Sequence, residues 1–209
     1  MARQPATRPR KQASQERSRA TVAALIEATA RILVSEGFDK ASTNRIAEVA
    51  GVSVGSLYQY FPSKEALVVA VVERHNQDIM HVVGSVLDEV DTLPVDEAVR
   101  RLVAVAIEAH RVDSKLHCVL AEQIPHTGAL ENVETAHRQA NDVLRAYLES
   151  RRDELRIMDV GLATFICATS IEALAHNAVL HHEGMFSDDA IEALVDETTR
   201  MILGYLKQT

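Results

Sequence analysis

The stretch from Ser42 to Lys64, STNRIAEVAGVSVGSLYQYFPSK, constrains the fold of this 209-residue chain more than any other. It reads as two short helices joined by a tight turn. Ile46 is apolar and Ala47 small, so the first helix can press closely on the next. Gly51 falls in the turn, where a backbone with φ > 0 is easiest for glycine. Leu57 and Tyr60, three apart, share one face of the second helix, as the helical period demands. Ile46, Ala50, Val52, Leu57 and Tyr60 thus form an inward set. The opposite face carries Val54, Ser56 and Gln59, with Ser53 at the N-cap. Small and polar side chains there let a backbone approach DNA and offer hydrogen bonds. Pro62 ends the second helix and Ser63 can cap the one that follows. This is the spacing of a helix-turn-helix, which places one helix in the major groove. A helical corner that touches no nucleic acid is the rival reading of the same spacing.

The segment IAEVAGVSVGSLYQYFPSKEAL resembles the signature of the TetR family of transcriptional regulators, and the match runs from about Thr21 to His75, including ALIEATARILVSEGFDKAS. Beyond it the chain resembles the family only in length and all-helical pattern. The resemblance implies a sequence-specific DNA-binding regulator, a repressor released from its operator by a small-molecule effector. It implies that Ser42, Thr43 and Asn44 open the first motif helix at the DNA backbone and groove edge. Val54, Gly55, Ser56, Tyr58, Gln59 and Tyr60 occupy the family's recognition-helix positions, and Lys64 matches its phosphate-contacting lysine. Arg45 adds a basic candidate and Ser53 completes the set. Val54 cannot donate a hydrogen bond, so it would read a thymine methyl or nothing, whereas Gln59 is suited to bidentate contact with adenine.

Charge supports the groove reading once it is divided. Residues 1–64 hold ten Lys or Arg against five Asp or Glu, a net +5, while residues 65–209 hold twelve against twenty-five, a net −13. Positive charge concentrated at the motif is the electrostatic footprint of phosphate binding. Residues 1–14, MARQPATRPRKQAS, contain four basic residues, two prolines and no acid, and read as a disordered arm. It is either a solvated tail or an extension that reaches phosphates or a minor groove, with Arg8, Arg10 and Lys11 the residues to test.

The rest of the chain shows helical periodicity, no alternating strand pattern and no internal repeat. We expect an all-α fold of about nine helices: a disordered arm over 1–14, a three-helix DNA-binding domain over 15–62 and a larger regulatory and dimerisation domain over 63–209. One long helix from Ser63 carries an inner stripe through Leu67, Val71, His75, Ile79, Val82, Val83 and Val86 to Val90. Such a helix would act as a lever between the two domains. A break falls at Pro125–Gly128, followed by a helix to about Glu154. No apolar run is long enough to span a membrane and no signal segment precedes the motif, so the expected location is cytoplasmic.

The helix from about Asp159 to His182 is apolar nearly all round, so it needs partners on two sides. Ile166, Ala173, Leu174 and Leu180, with Leu194 and Ile202 of the last helix, are the expected dimer contacts; the buried central helix of a monomer is the rival reading. The resembled family dimerises through a four-helix interface of this kind, and helix-turn-helix readers bind paired half-sites.

Polar residues on inward stripes are costly unless hydrogen-bonded. His75, His110, Gln123, His137, Asn141 and Thr169 are satisfied either singly or together, by the small molecule of an internal cavity with Tyr147 and Phe165 as aromatic walls. Among the nine histidines no spacing favours a shared metal ion. His181 and His182 are adjacent and diverge on a helix. Cys118 and Cys167 read as buried thiols. No phosphate loop, nucleophile elbow or Cys–His motif points to an enzyme. The expected partners are therefore double-stranded operator DNA, a small-molecule effector and a second copy of the chain, with no cofactor, metal or membrane. The alternative is a helical small-molecule-binding or catalytic protein whose helix-turn-helix is only structural, with Glu172 and His176, one turn apart, as its candidate pair.

Overall fold

The computed structural model describes residues 16–127, 130–156, 159–181 and 187–207, with only the backbone course at 87–88, 123–127, 130–137, 139–140 and 179–181. Among the described residues the regular structure is all helical: α1 (Glu16–Glu36), α2 (Thr43–Ala50), α3 (Val54–Tyr60), α4 (Lys64–Gly84), a single turn α5 (Leu87–Val90), α6 (Val95–Arg111), α7 (Ser114–Thr127), α8 (Leu130–Ser150), α9 (Val160–His181) and α10 (Asp188–Leu206), with a 3-10 turn at Arg152–Glu154. The all-α expectation holds. Among these residues no helix is long and apolar enough to cross a membrane.

The chain divides into two compact units. The first takes residues up to Asn76 together with Lys115–Glu134, and the second takes Gln77–Ser114 and the chain from Thr135. In the first, α1 packs on α2 and α2 on α3. Leu25, Ile32, Leu33, Ile46, Leu57 and Leu67 are buried in its core. Leu116 and Leu120 of α7 join the same cluster, although they lie far along the chain from the motif. In the second unit α6 packs against α9 and α10, and Val99, Val103, Ile107, Leu148, Cys167 and Ile202 are buried together.

Helix ends follow side-chain chemistry. Ser63 Oγ accepts the Ala66 N–H at 3.2 Å, Asp159 Oδ1 accepts the Leu162 N–H at 3.0 Å, and Ser187 Oγ accepts the Ala190 N–H at 3.3 Å, each satisfying a first-turn donor. Asp96 and Glu97 open α6 while His110 and Arg111 close it, the sense that suits the helix dipole.

Three boundaries differ from the periodic reading. The long helix stops at Gly84 rather than running to Val90. Glycine weakens a helix by about 1 kcal/mol relative to alanine, and Ser85 Oγ donates to the Val82 carbonyl at 2.7 Å, in competition with the ladder. Val86 and Val90 are buried in the second unit from the separate turn α5 and its approach. Similarly α8 ends at Ser150, whose hydroxyl donates to the Tyr147 carbonyl at 2.8 Å. By contrast α7 runs through Pro125 to Thr127. Pro125 has no N–H to give the Ala121 carbonyl, so the last turn of α7 holds one ladder bond fewer. Gly128 lies outside the described residues.

Candidate nucleic-acid interface

The turn between α2 and α3 is built from two backbone bonds and one left-handed residue. Gly51 has φ 67° and ψ 29°. Its N–H donates to the Glu48 carbonyl at 3.1 Å, and the Val52 N–H donates to the Ala47 carbonyl at 3.0 Å. This is the Schellman arrangement, in which a glycine ends a helix without a Cβ clash. Each helix then begins on a serine: Ser42 Oγ accepts the Arg45 N–H at 3.2 Å and Ser53 Oγ accepts the Ser56 N–H at 3.1 Å. Ser53 and Ser56 also share a hydroxyl–hydroxyl bond of 2.9 Å.

α3 is anchored by one face and open on the other. Leu57 is fully buried, and Tyr60 and Phe61 sit beside it in the core. Val54, Gly55, Tyr58 and Gln59 are exposed together with Ser53, and residues at this spacing lie on one side of a helix. A Cβ added at Gly55 would meet only Ser53 Oγ at 3.9 Å. Folding therefore does not ask for a glycine at that place. Thr43 of α2 reaches across to α3, its Oγ1 3.1 Å from the Tyr58 hydroxyl, so the phenol on the open face is held by the helix in front of it. Ser42 and Asn44 are exposed beside them.

Three expected contact residues are otherwise engaged. Tyr60 is only 8% exposed and its hydroxyl donates to Ser18 Oγ at 3.1 Å, which places it in the core rather than on the open face. Arg45 is held by Glu36 and Glu48, both at 3.1 Å; hydrogen bonds to Glu36 first and Glu48 next push its pKa up further. Lys64 donates to the Phe38 carbonyl at 3.1 Å and lies 3.8 Å from the centre of the Phe38 ring. Residues 16–64 contain six basic and five acidic side chains, so the described part of the head has a net charge of only +1. Most of the positive excess belongs to the arm.

In the second unit, α9 presents an apolar outer side. Leu162 is 54% exposed and Phe165 62%, with Leu174 and Met201 of α10 also open. Phe165 was expected in a cavity wall and Thr169 on an inward stripe; both face outward. An aromatic ring lying open beside Leu162 fits a surface covered by protein, not the lining of an interior site. Of the expected dimer contacts, Ala173 and Leu174 are exposed and Ile166 is half-buried. Ile202 is 3% exposed and belongs to the core, and Leu194 packs against that core. Leu162 and Met201, also exposed, are not among those expected contacts. The side chain of Leu180 lies outside the described residues.

The remaining polar candidates fall in both units. His75 is buried in the first unit, its Nε2 3.0 Å from His117 Nδ1. Tyr147 is buried in the core of the second unit; burial pushes its phenol above the usual value, and Arg151 pulls the other way. Asn141 and His110 are half-buried in that unit. Gln123 and His137 have side chains outside the described residues. Sequence spacing gives no sign that His176 meets His110, yet its ring stands edge-on to His110 with centroids 6.4 Å apart.

A capped helix-turn-helix whose second helix turns a small, polar face to solvent defines a DNA-binding regulator. Residues 25–71 match the family described as bacterial regulatory proteins, tetR family, and residues 94–206 match the tetracyclin repressor-like C-terminal domain. This chain belongs to the TetR family of transcriptional regulators. It is 41% identical over 56 residues to the nucleoid occlusion factor SlmA of Haemophilus ducreyi, a match covering 26% of this chain and 28% of that protein. The chain thus spans little more than a quarter of that curated relative's length. Among solved structures, a protein from Mesorhizobium loti assigned to the TetR family superposes with a TM-score of 0.78 at 17% identity, covering 93% of this chain and all of that one. SmeT, the repressor of a multidrug efflux pump of Stenotrophomonas maltophilia, superposes with a TM-score of 0.64 at 23% identity, covering 90% and 93%. At these identities the likeness is one of fold. Family membership removes the catalytic alternative: the family's members regulate transcription.

Proposed function

We propose that this chain is a homodimeric, cytoplasmic repressor that binds a paired-half-site operator and leaves it when a small molecule occupies its second domain. The division into a DNA-binding domain over 15–62 and a regulatory domain over 63–209 is part of the proposal. The observation that carries it is Gly55. A glycine inside a short helix costs about 1 kcal/mol relative to alanine, and no internal contact explains it. Its neighbours Val54, Tyr58 and Gln59 share the open face. A bare backbone there lets α3 sit deep against a groove wall. Ser42, Thr43, Asn44, Ser53 and Ser56 supply short hydroxyl and amide groups around it. Gln59 is the base reader, Tyr58 a backbone contact aimed by Thr43, and Lys64 a phosphate contact once DNA competes with the Phe38 carbonyl.

Dimerisation rests on the open apolar side of α9 and α10 around Leu162, Phe165, Leu174 and Met201. Two copies would place two recognition helices one DNA turn, about 34–36 Å, apart. An effector must bind the free and DNA-bound arrangements differently to release the protein.

The reading is tested with DNA selected from a random pool, or with the DNA upstream of the protein's own gene, by mobility shift. The parent should bind one sequence selectively. Gly55→Leu should fold with thermal stability no lower than the parent's and lose selective binding by at least about 100-fold, or roughly 2.7 kcal/mol. Selective binding that survives Gly55→Leu would sink the groove assignment.

A further inference from the structure

The packing of α6 on α9 brings together two imidazoles that lie far apart along the chain. His110 closes α6, and His176 lies in the second half of α9. Their rings meet edge to face at an interplanar angle of 81°, and their ligating nitrogens lie within 4.8 Å of one another. Both side chains are half-buried, where solvent competes less for a bound ion than at the open surface.

The orientation of His110 is set from behind. Its Nδ1 is 2.8 Å from the Ala106 carbonyl oxygen. A carbonyl can only accept, so Nδ1 carries the proton and the lone pair of the neutral ring falls on Nε2. A metal-bound histidine is held in the same way, with one nitrogen donating to a carbonyl or carboxylate and the other ligating. Glu172 lies one turn before His176. Ala168, Glu172 and His176 form one half-buried flank of α9 beside the buried stripe of Ala163, Cys167, Ile171 and Ala175. A carboxylate and an imidazole four residues apart on a helix lie on the same side.

We propose that His110 and His176 bind a first-row divalent transition-metal ion of the zinc type, with the Glu172 side chain turned in from the same flank of α9 to complete the donor set. Two imidazole nitrogens and a carboxylate oxygen are a borderline donor set that suits zinc, cobalt or nickel. Magnesium and calcium call for oxygen ligands throughout and are poorly served by it. Two nitrogens bound at about 2.1 Å to one tetrahedral ion stand about 3.4 Å apart, within the separation that the two rings allow. Remaining coordination positions belong to water or a small ligand. The site lies wholly in the second unit and does not depend on DNA binding.

The test uses the full-length protein, stripped with a chelator and titrated with cobalt(II) while visible ligand-field absorbance is followed. The parent should take up one ion per chain with bands of four- or five-coordinate intensity, displaced by zinc(II). His110→Gln and His176→Gln should each weaken binding at least about tenfold, and Glu172→Gln should weaken it measurably, in line with losses from ligand and supporting residues. A His181→Gln, His182→Gln double variant should bind like the parent. Circular dichroism establishes that each variant is folded. X-ray absorption on the zinc-loaded parent provides a reading free of substitutions, and at least two imidazoles should appear. Absence of binding, binding unaffected by His110→Gln and His176→Gln, loss in the His181, His182 variant, or fewer than two imidazoles on the ion would each overturn the site.

Discussion

The outer faces of α3 and α9 are both helix surfaces left open by the fold, yet they are made of opposite materials. On α3, Ser53, Gly55 and Gln59 offer a small, hydrogen-bonding surface, with Val54 and the hydroxyl-bearing Tyr58 as its larger members. On α9, Leu162, Phe165 and Leu174 offer large apolar side chains. The first suits a hydrated, charged polymer whose affinity comes largely from phosphates and whose identity is read by a few polar groups. The second suits another protein surface, where burying apolar area contributes about 25 cal/mol per Å². An open face therefore has to be read by its composition and by what the opposite face is doing. α3 is held by Leu57 and Phe61 beneath it, whereas α9 is apolar on both sides.

The largest expected effect is on the anchor of α3. Leu57→Ala should lower the unfolding free energy by about 2–5 kcal/mol, the usual range for a fully buried leucine, as read by guanidinium denaturation. A loss below about 1 kcal/mol would mean that α3 is not held from beneath and that the contrast between its faces is false. Next comes α9. Leu162→Glu with Phe165→Glu places four carboxylates at a two-fold contact; light scattering should report a monomer, and affinity for the selected operator should fall about 100-fold, roughly 2.7 kcal/mol. A dimer that survives both charges would break the comparison at its other end.

Two substitutions sharpen the α3 side. Gln59→Ala should relax the preference at one base position by about 1–3 kcal/mol, read from competition among operator variants. Lys64→Ala should weaken all sequences evenly and shallow the salt dependence by about one charge, read from binding at several salt concentrations. If both variants keep the parent's preference and slope, the contacts lie elsewhere. The smallest effect concerns the core beneath α9. Burial lifts the Cys167 thiol to about 11, above its unfolded value of about 8.5. Between those values the unfolded chain has released a proton that the folded chain keeps, so stability falls as pH rises through that window. Denaturation midpoints should fall less steeply with pH in Cys167→Ala than in the parent. Cys118, which burial and then Glu122 also push up, leaves a residual slope.

Much of the head was legible because its determinants are local. Ser42, Gly51 and Ser53 act on residues three or four positions away, and Leu57 and Tyr60 mark the inner face by spacing alone. The second unit resists the same reading. A helix that is apolar all round, as α9 is, gives periodicity nothing to distinguish, so Leu162 and Ala163, neighbours in the chain, could not be sorted into surface and core. Phe165 was taken inward for the same reason. The pairing of His110 with His176 depends on how α6 lies on α9, which no spacing records. The end of α4 was missed because Ser85 competes for a carbonyl through its hydroxyl, a contest that apolar patterning does not register. The assignment of Leu116 and Leu120 to the core of the first unit is likewise a tertiary fact.

The open face of α3 has a consequence for descent. Val54, Gly55 and Gln59 hold up nothing inside the protein, so a lineage can exchange them singly while the scaffold melts where it did before. Copies arising by gene duplication can part company by respelling a few surface letters and come to govern different stretches of a genome. Tyr58 is less free to drift, because Thr43 must change with it. Inheritance should therefore show α3 varying in pieces, with the outward triad wandering and the Thr–Tyr pair moving together or not at all.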